Sequence, residues 1–350
     1  MHPAKTSGGA ARRAAKETAP ARPYETEAEP LLDAANGQSI PPAGISIAPV
    51  SHHGWSGSWL ISNGIVEVDV VPEIGRVMQF RLVGDADGTF WQNRALDGRQ
   101  QSTSGGDWLN FGGDKCWPSP QSSWPIQQGG AWPPPGGFDG CPMGTTLTER
   151  GVVLTSAIDP FWGIQVVRHI ELEPDQPVLH VRTVYRKLQG PPVRTGIWTI
   201  TQFQDPEQTC MLLAPASIFQ NGFVNLLDVA PANFEMHDFG IDGQVLSFAR
   251  HGEAYTKIGS DGISVAWIGR KCMVRIDVEP VPGEHPDGGC RTEIYTNPDP
   301  LKYVELETLG PLTAMEPGGC IEQSARYTIL RRTESEARAR VRQIFATSLG

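Results

Sequence analysis

Alternation of apolar and polar residues dominates the chain from about residue 59 onward. Val66, Val68 and Val70 alternate with Glu67 and Asp69, and a similar segment follows the turn at residues 72–75. Successive side chains of a β-strand point to opposite faces, so this period of two predicts strands with one apolar and one polar face. Helices would need apolar residues every three or four positions. The pattern therefore restricts most of this chain to β-sheet.

Further strand-like segments occur throughout the chain. They lie at residues 164–172, 179–186, 196–203, 245–248, 263–268, 274–278, 293–296 and 303–309. The 39 glycines and 30 prolines provide turns between them, and 350 residues can bury a large core. We therefore predict an all-β fold, a large antiparallel β-sandwich over residues 45–332.

The two ends of the chain differ from this pattern. Residues 1–44 contain almost no large apolar side chains, so they cannot offset their ordering entropy and are predicted to be a disordered tail. Thr333 and Glu336 match a capping box, and Ala337, Val341 and Ile344 share one helical face. Residues 333–350 are therefore predicted to form a C-terminal helix packed on the domain.

Charge and residue usage narrow the classes of partner. A net charge of −10 argues against nucleic acid, and no apolar run is long enough for a membrane helix. No apolar stretch follows Arg12 and Arg13, so no signal peptide is visible and a cytoplasmic location is favoured over export. The six cysteines include no Cys-x-x-Cys pair, so neither a metal nor another cofactor is predicted. The oligomeric state stays open.

Residues 108–121, read WLNFGGDKCWPSPQ, concentrate functional residue types. Gly112 and Gly113 permit unusual backbone conformations, and Asp114, Lys115 and Trp117 follow. Sugar sites combine aromatic faces with fixed polar groups, and long structureless segments in compact domains are usually functional. We therefore predict an ordered binding loop over roughly residues 93–143. The alternative is a surface loop whose tryptophans cover the core.

A second candidate site is the segment YVELETLGP at residues 303–311. On a strand, Glu305 and Glu307 point to the same face, while Val304 and Leu306 point to the other. Two neighbouring carboxylates repel each other, which raises the pKa of one and suits it to acid–base chemistry. A solvated strand face is the alternative interpretation.

Four segments together resemble a known superfamily. They are NGI at 63–65 with VPEIGRV at 71–77, GGDKCWPSPQ at 112–121 with WPPP at 132–135, IWTITQ at 197–202, and YVELE at 303–307. The set resembles the galactose mutarotase-like superfamily, and the second segment resembles its DUF4380 family. The resemblance implies a large antiparallel supersandwich that binds a sugar. In its epimerases a Glu removes the proton of the anomeric hydroxyl and a His protonates the ring oxygen.

The resemblance also suggests roles for individual residues. Glu307, within Leu306-Glu307-Thr308, matches the epimerase base, whereas the Asn-His pair of the family is absent from the strand at 197–202. The catalytic candidates are therefore Glu307, Glu305, Lys115 and Asp114. The substrate-binding candidates are Arg76, Trp117, Gln121, Trp132, His180, Trp198 and Gln202.

The predicted function is that of a carbohydrate-active protein, most simply an aldose 1-epimerase-like isomerase. Its partner would be a sugar or a sugar-derived small molecule. A non-catalytic carbohydrate-binding protein and a glycan lyase or hydrolase remain open as alternatives.

Overall fold

The computed structural model describes residues 22–23, 44–101, 107–240 and 243–346. Apart from residues 22–23 and 44, the predicted disordered tail lies outside the described residues. The end of the predicted C-terminal helix, residues 347–350, lies outside them as well.

Strands are the main regular secondary structure of the described residues. In chain order the strands are β1 (Arg22–Pro23), β2 (Ser46–His52), β3 (Trp55–Ser62), β4 (Val66–Val71), β5 (Arg76–Leu82), β6 (Asp114–Ser119), β7 (Gly144–Leu147), β8 (Gly151–Thr155), β9 (Ile164–Leu172), β10 (Val178–Lys187), β11 (Val193–Gln204), β12 (Gln208–Leu212), β13 (Val224–Asn225), β14 (Ala232–His237), β15 (Val245–Ala249), β16 (Thr256–Ser260), β17 (Ser264–Ile268), β18 (Cys272–Val278), β19 (Thr292–Thr296), β20 (Tyr303–Leu309), β21 (Thr313–Met315) and β22 (Gly319–Arg331). The helices are α1 (Trp124–Gln128) and α2 (Ala337–Ala346), with 3₁₀ turns at Pro72–Ile74, Arg94–Leu96 and Gln121–Ser123.

Two large sheets are built from these strands. The front sheet has the order β13-β16-β19-β20-β11-β6-β5-β4-β3-β2, with β21 beside β11. The back sheet has the order β14-β15-β12-β17-β18-β22-β10-β9-β8-β7, with β1 beside β22. Neighbouring strands run antiparallel, as in the pairs of β20 with β11 and β10 with β22. The predicted antiparallel β-sandwich with a C-terminal helix is confirmed.

The apolar faces of the two sheets meet in one core. Val68, Phe80 and Leu306 enter it from the front sheet, and Tyr185 and Ile329 enter it from the back sheet. The hairpin read from residues 66–82 is present as β4 and β5, joined by the turn Pro72–Ile74. The alternation that predicted these strands therefore also separates their core face from their outer face.

The prediction of a loop at residues 114–119 is wrong, because these residues form β6. This strand pairs with β11 in the interior of the front sheet. Gly112 and Gly113 let the backbone that leads into β6 pass close to neighbouring segments. A Cβ on Gly112 would lie 2.2 Å from the Trp91 carbonyl oxygen, and a Cβ on Gly113 would lie 2.4 Å from the Val77 carbonyl oxygen. Two charged residues and a proline inside β6 hide the apolar alternation by which the other strands were recognised.

Helix α2 starts at Ala337, four residues after the predicted cap at Thr333. The Thr333 N–H donates to Gln343 Oε1 at 3.3 Å, and residues 332–335 are not helical, so the capping box does not form. Val341 and Ile344 are buried against the outer side of the back sheet. Within the described residues, neither helix has the length and apolar character needed to span a membrane.

Candidate functional site

A cluster of charged side chains lies on the outer face of the front sheet. Glu305 and Glu307 share this face of β20, while Leu306 points into the core. Glu293 of β19 is the direct cross-strand partner of Glu307. Lys257 of β16 completes this side of the cluster, since its ammonium contacts both Glu293 and Glu307. Period-two geometry therefore brings carboxylates from two strands together with a lysine from a third.

Glu307 is held in place by two donors. The Lys257 ammonium lies 3.0 Å from Glu307 Oε2 and 2.6 Å from Glu293 Oε2. The Trp198 indole N–H donates to the same Glu307 oxygen at 2.6 Å. Lys257 also lies 4.8 Å from the centre of the Trp198 ring, within cation–π range. Glu307 is only 1% exposed, so its orientation is set by these contacts.

Lys115 and Glu305 form a second ion pair on this face. The Lys115 ammonium lies 3.4 Å from Glu305 Oε1 and 5.1 Å from the centre of the Trp117 ring. Burial lowers the pKa of Lys115 and raises the pKa of Glu305, while each partner opposes the shift of the other. Both pKa values therefore move toward the neutral pH range. This suits the two groups to exchanging a proton. The Glu305 side chain remains 14% exposed.

Glu293 and Lys257 were not identified from the sequence as site residues. Burial raises the pKa of Glu293 well above its usual range, opposed by Lys257 and reinforced by the neighbouring Glu307. Charges from Glu307 and Glu293 raise the pKa of Lys257 despite its burial. The only signal in the sequence was a charged residue inside β19, a short strand rich in β-branched residues. The contacts of the cluster join distant parts of the chain, so the sequence alone does not show them.

Tryptophans form a wall beside the Lys115 pair. The Trp117 ring centre lies 5.3 Å from that of Trp198 and 5.9 Å from that of Trp132. Asp139 accepts the indole N–H of Trp117 at 2.9 Å and that of Trp108 at 3.0 Å. The wall is therefore rigid at Trp117, while Trp132 is 50% exposed at its outer edge.

Arg76, a predicted binding residue, supports this wall from beneath. Its guanidinium pairs with Asp139 at 2.5 Å and donates to the Gly112 carbonyl oxygen at 2.7 Å. Arg76 is fully buried. Its visible role is to fix the carboxylate that orients two tryptophans, so it lies behind the site and not at its surface.

Asp114 lies on the opposite side of the sheet from Lys115. Its carboxylate forms an ion pair with Arg168 of the back sheet. It also accepts hydrogen bonds from Thr201 Oγ1 at 2.7 Å and from the Tyr327 hydroxyl at 2.8 Å. Adjacent residues of a strand point to opposite faces, so β6 sends Lys115 to the site and Asp114 to the core. Asp114 therefore cannot act in the same site as Lys115.

The other predicted binding residues are divided between near and distant positions. Gln202 is the cross-strand partner of Glu305 and is fully buried, and neither atom of its amide finds a partner among the described residues. Gln121 is exposed at the turn after β6. His180 belongs to the back sheet and contacts Glu173 Oε1 at 2.7 Å, so it lies outside the cluster. Among the described residues, no three His, Cys, Asp or Glu side chains are arranged to hold a metal ion.

Comparisons with known proteins establish the fold class. The sequence matches no protein-family model and no curated protein. A galactose mutarotase-like protein from Lactobacillus casei matches 78% of this chain and 100% of its own, with a TM-score of 0.51 and 9% identity. A galactose mutarotase related enzyme from Lactobacillus acidophilus matches 80% of this chain and 98% of its own, with a TM-score of 0.50 and 9% identity.

A larger protein contains a similar fold. A TPR-domain containing protein from Parabacteroides distasonis matches 79% of this chain and 48% of its own, with a TM-score of 0.54 and 11% identity. This chain therefore spans about half the length of that protein. At such low identities the similarities show that the fold is mutarotase-like, and they assign no activity.

Proposed function

We propose that the protein binds a sugar on the outer face of the front sheet and interconverts its anomers, as an aldose 1-epimerase-like isomerase. The observation that supports this is the pair Lys115–Glu305, which lies beside the Trp117 ring and on the same sheet face as the fixed carboxylate of Glu307. Aromatic faces bind the C–H surfaces of a sugar, and the charged groups bind its hydroxyls. Membership of the DUF4380 family, suggested by residues 112–121, is part of this proposal.

Anomer exchange needs one base and one acid. The base removes the proton of the anomeric hydroxyl while the acid protonates the ring oxygen, so the ring C–O bond breaks and an open-chain aldehyde forms. Rotation about the bond to the carbonyl carbon and the reverse proton transfers close the other anomer. In this scheme Glu305 is the base and Lys115 is the acid, since both pKa values are shifted toward neutrality.

We propose a part for Glu307 that differs from the one that the sequence resemblance implies. Glu307 already accepts a hydrogen bond from Trp198 and pairs with Lys257. Both contacts engage the same carboxylate oxygen, and the side chain is only 1% exposed. We therefore propose that Glu307 orients a sugar hydroxyl and that Glu305 performs the proton transfer.

One observation favours a second candidate function, a carbohydrate-binding protein without turnover. Each carboxylate of the cluster is already paired with a lysine, Glu305 with Lys115, and Glu293 and Glu307 with Lys257. Groups that satisfy each other are less reactive, and such a surface could hold a sugar without chemistry.

The decisive experiment measures binding and anomer exchange together by NMR. D-glucose, D-galactose and related aldoses are added to the wild type, Glu305→Gln and Glu307→Gln, with Glu171→Gln on the back sheet as a matched control. The proposal predicts that exchange above the buffer rate is lost in Glu305→Gln while sugar binding persists. Loss of anomer exchange only in Glu307→Gln would transfer the role of base to that residue. Binding without exchange in the wild type would favour the second function, and no binding would refute both.

A further inference from the structure

Two groups of aromatic rings flank the charged cluster on the outer face of the front sheet. The first, the tryptophan group, is Trp117, Trp132 and Trp198. The second, the tyrosine group, is Tyr255, Tyr295 and Tyr303; the ring centres of Tyr255 and Tyr295 are 6.0 Å apart, and those of Tyr295 and Tyr303 are 6.4 Å apart. The tyrosine group is not among the site residues predicted from the sequence, and the proposed epimerase step does not use it.

The two groups lie toward opposite ends of the paired strands β11 and β20. On β11, Trp198 pairs with Leu309, and Gln204, six residues further along, pairs with Tyr303. Six residues of extended strand span about 20 Å. The positions of Glu307 and Glu305 along β20 lie between these two ends. A single sugar ring on the charged cluster therefore cannot reach both aromatic groups.

Each group ends in a ring that is open to solvent. Trp132 is 50% exposed and Tyr255 is 55% exposed, although both contact rings that are more deeply buried. Between them, the side chains of Glu305 and Lys257 are 14% and 17% exposed. The accessible surface is thus an aromatic ring, a charged centre and a second aromatic ring in sequence.

We propose that this surface binds an oligosaccharide of several sugar units, long enough to cross the roughly 20 Å between the two groups, with one unit stacked on Trp132 and another, not its direct neighbour, stacked on Tyr255. The inference rests on the proposed function, and it specifies the substrate class of the same site. Aromatic rings bind the apolar faces of sugar rings, so two separated rings provide two stacking positions. The polar residues between them bind the hydroxyls of the units that lie across the centre.

The test is a length series measured by isothermal titration calorimetry. The probes are D-glucose, D-galactose and the malto-, cello- and β-1,4-galacto-oligosaccharides of two to six units, and the protein is the full chain. We expect affinity to rise by about tenfold or more from the monosaccharide to the best oligosaccharide, because each stacked ring contributes up to about tenfold.

Variants locate the gain. Tyr255→Ala should lower oligosaccharide affinity by several fold and leave monosaccharide affinity unchanged. Trp132→Ala, in the wall of the proposed sugar site, should lower oligosaccharide affinity by more than it lowers monosaccharide affinity. Phe161→Ala is the matched control, because Phe161 is 56% exposed on the segment between β8 and β9 of the back sheet. Both aromatic targets are half exposed, so the variants should fold.

The outcomes separate this inference from the proposed function. Monosaccharide binding with anomer exchange, but no gain with length in any series, would overturn the inference and leave the epimerase proposal intact. A gain that persists in both variants would also overturn it. A gain lost in both variants without anomer exchange would support the inference and refute only the isomerase. If no sugar of any length binds, both fall.

Discussion

Replacing Lys257 with methionine should expose the mutual repulsion of Glu293 and Glu307. Methionine keeps most of the apolar stem and removes the ammonium, which lies 2.6 Å from one carboxylate and 3.0 Å from the other. Removing one partner of a buried ion pair typically costs about 3–5 kcal/mol, because the remaining charge is left without compensation. We expect a loss of unfolding free energy of about that size at pH 8.

The loss of unfolding free energy in Lys257→Met should be smaller at pH 5 than at pH 8. The pKa of Glu293 is already raised above its unfolded value of 4.5 by burial and by Glu307, and removing Lys257 raises it further. The folded state therefore binds more protons than the unfolded state between pH 4.5 and the folded pKa. Stability from this group is fully present below pH 4.5 and is lost as the pH rises through that window. The variant should accordingly lose stability more steeply with pH than the wild type.

The assay is urea denaturation at pH 5 and pH 8, followed by tryptophan fluorescence. Lys271→Met is the control, since that exposed lysine pairs only with the exposed Asp87 at the surface and its loss should leave the midpoint unchanged. Adding Glu293→Gln to Lys257→Met should recover stability at pH 8, because one of the two repelling carboxylates is then neutral. An equal loss at both pH values, or no recovery in the double variant, would refute this electrostatic account.

Three further predictions follow from the other buried polar groups. Asp114→Asn should destabilise the fold by about 3–5 kcal/mol, since Arg168 loses its buried partner, and thermal unfolding measures this loss. The same variant should leave the sugar affinity of the folded protein unchanged, which calorimetry measures. Gln202→Met should stabilise the protein by about 1–3 kcal/mol, because an unpartnered buried amide is removed, and should weaken sugar binding. Anomer exchange should have a bell-shaped pH profile: it rises as Glu305 ionises above its raised pKa and falls as Lys115 deprotonates above its lowered one.

Different results would contradict each of these. Loss of sugar affinity in folded Asp114→Asn would return that residue to the site. A lower melting temperature in Gln202→Met would mean that the amide is satisfied. An alkaline limb that survives in Lys115→Met, if that variant retains activity, would assign the acid to another group.

The fold could be predicted largely from the sequence, because strand alternation is a local property. Val66, Val68 and Val70 indicate a core face wherever the strand is placed, and the same rule puts Glu305 and Glu307 together on one face. Strand β6 was missed, since its buried charges and its proline do not follow that alternation. The late start of α2 was missed as well, because a capping-box sequence at Thr333 does not ensure that the cap forms.

The site depended much more on tertiary structure. The pattern of residues predicts an all-β chain with a pair of carboxylates on one strand and a tryptophan-rich segment. That Lys257 and Glu293 join Glu307, that Asp114 belongs to the core and that Arg76 lies behind the site follow from the folded arrangement. Alternation specifies which residues share a face of one strand. Which strands become neighbours is decided by the packing of two whole sheets, and each charge finds its partner only then.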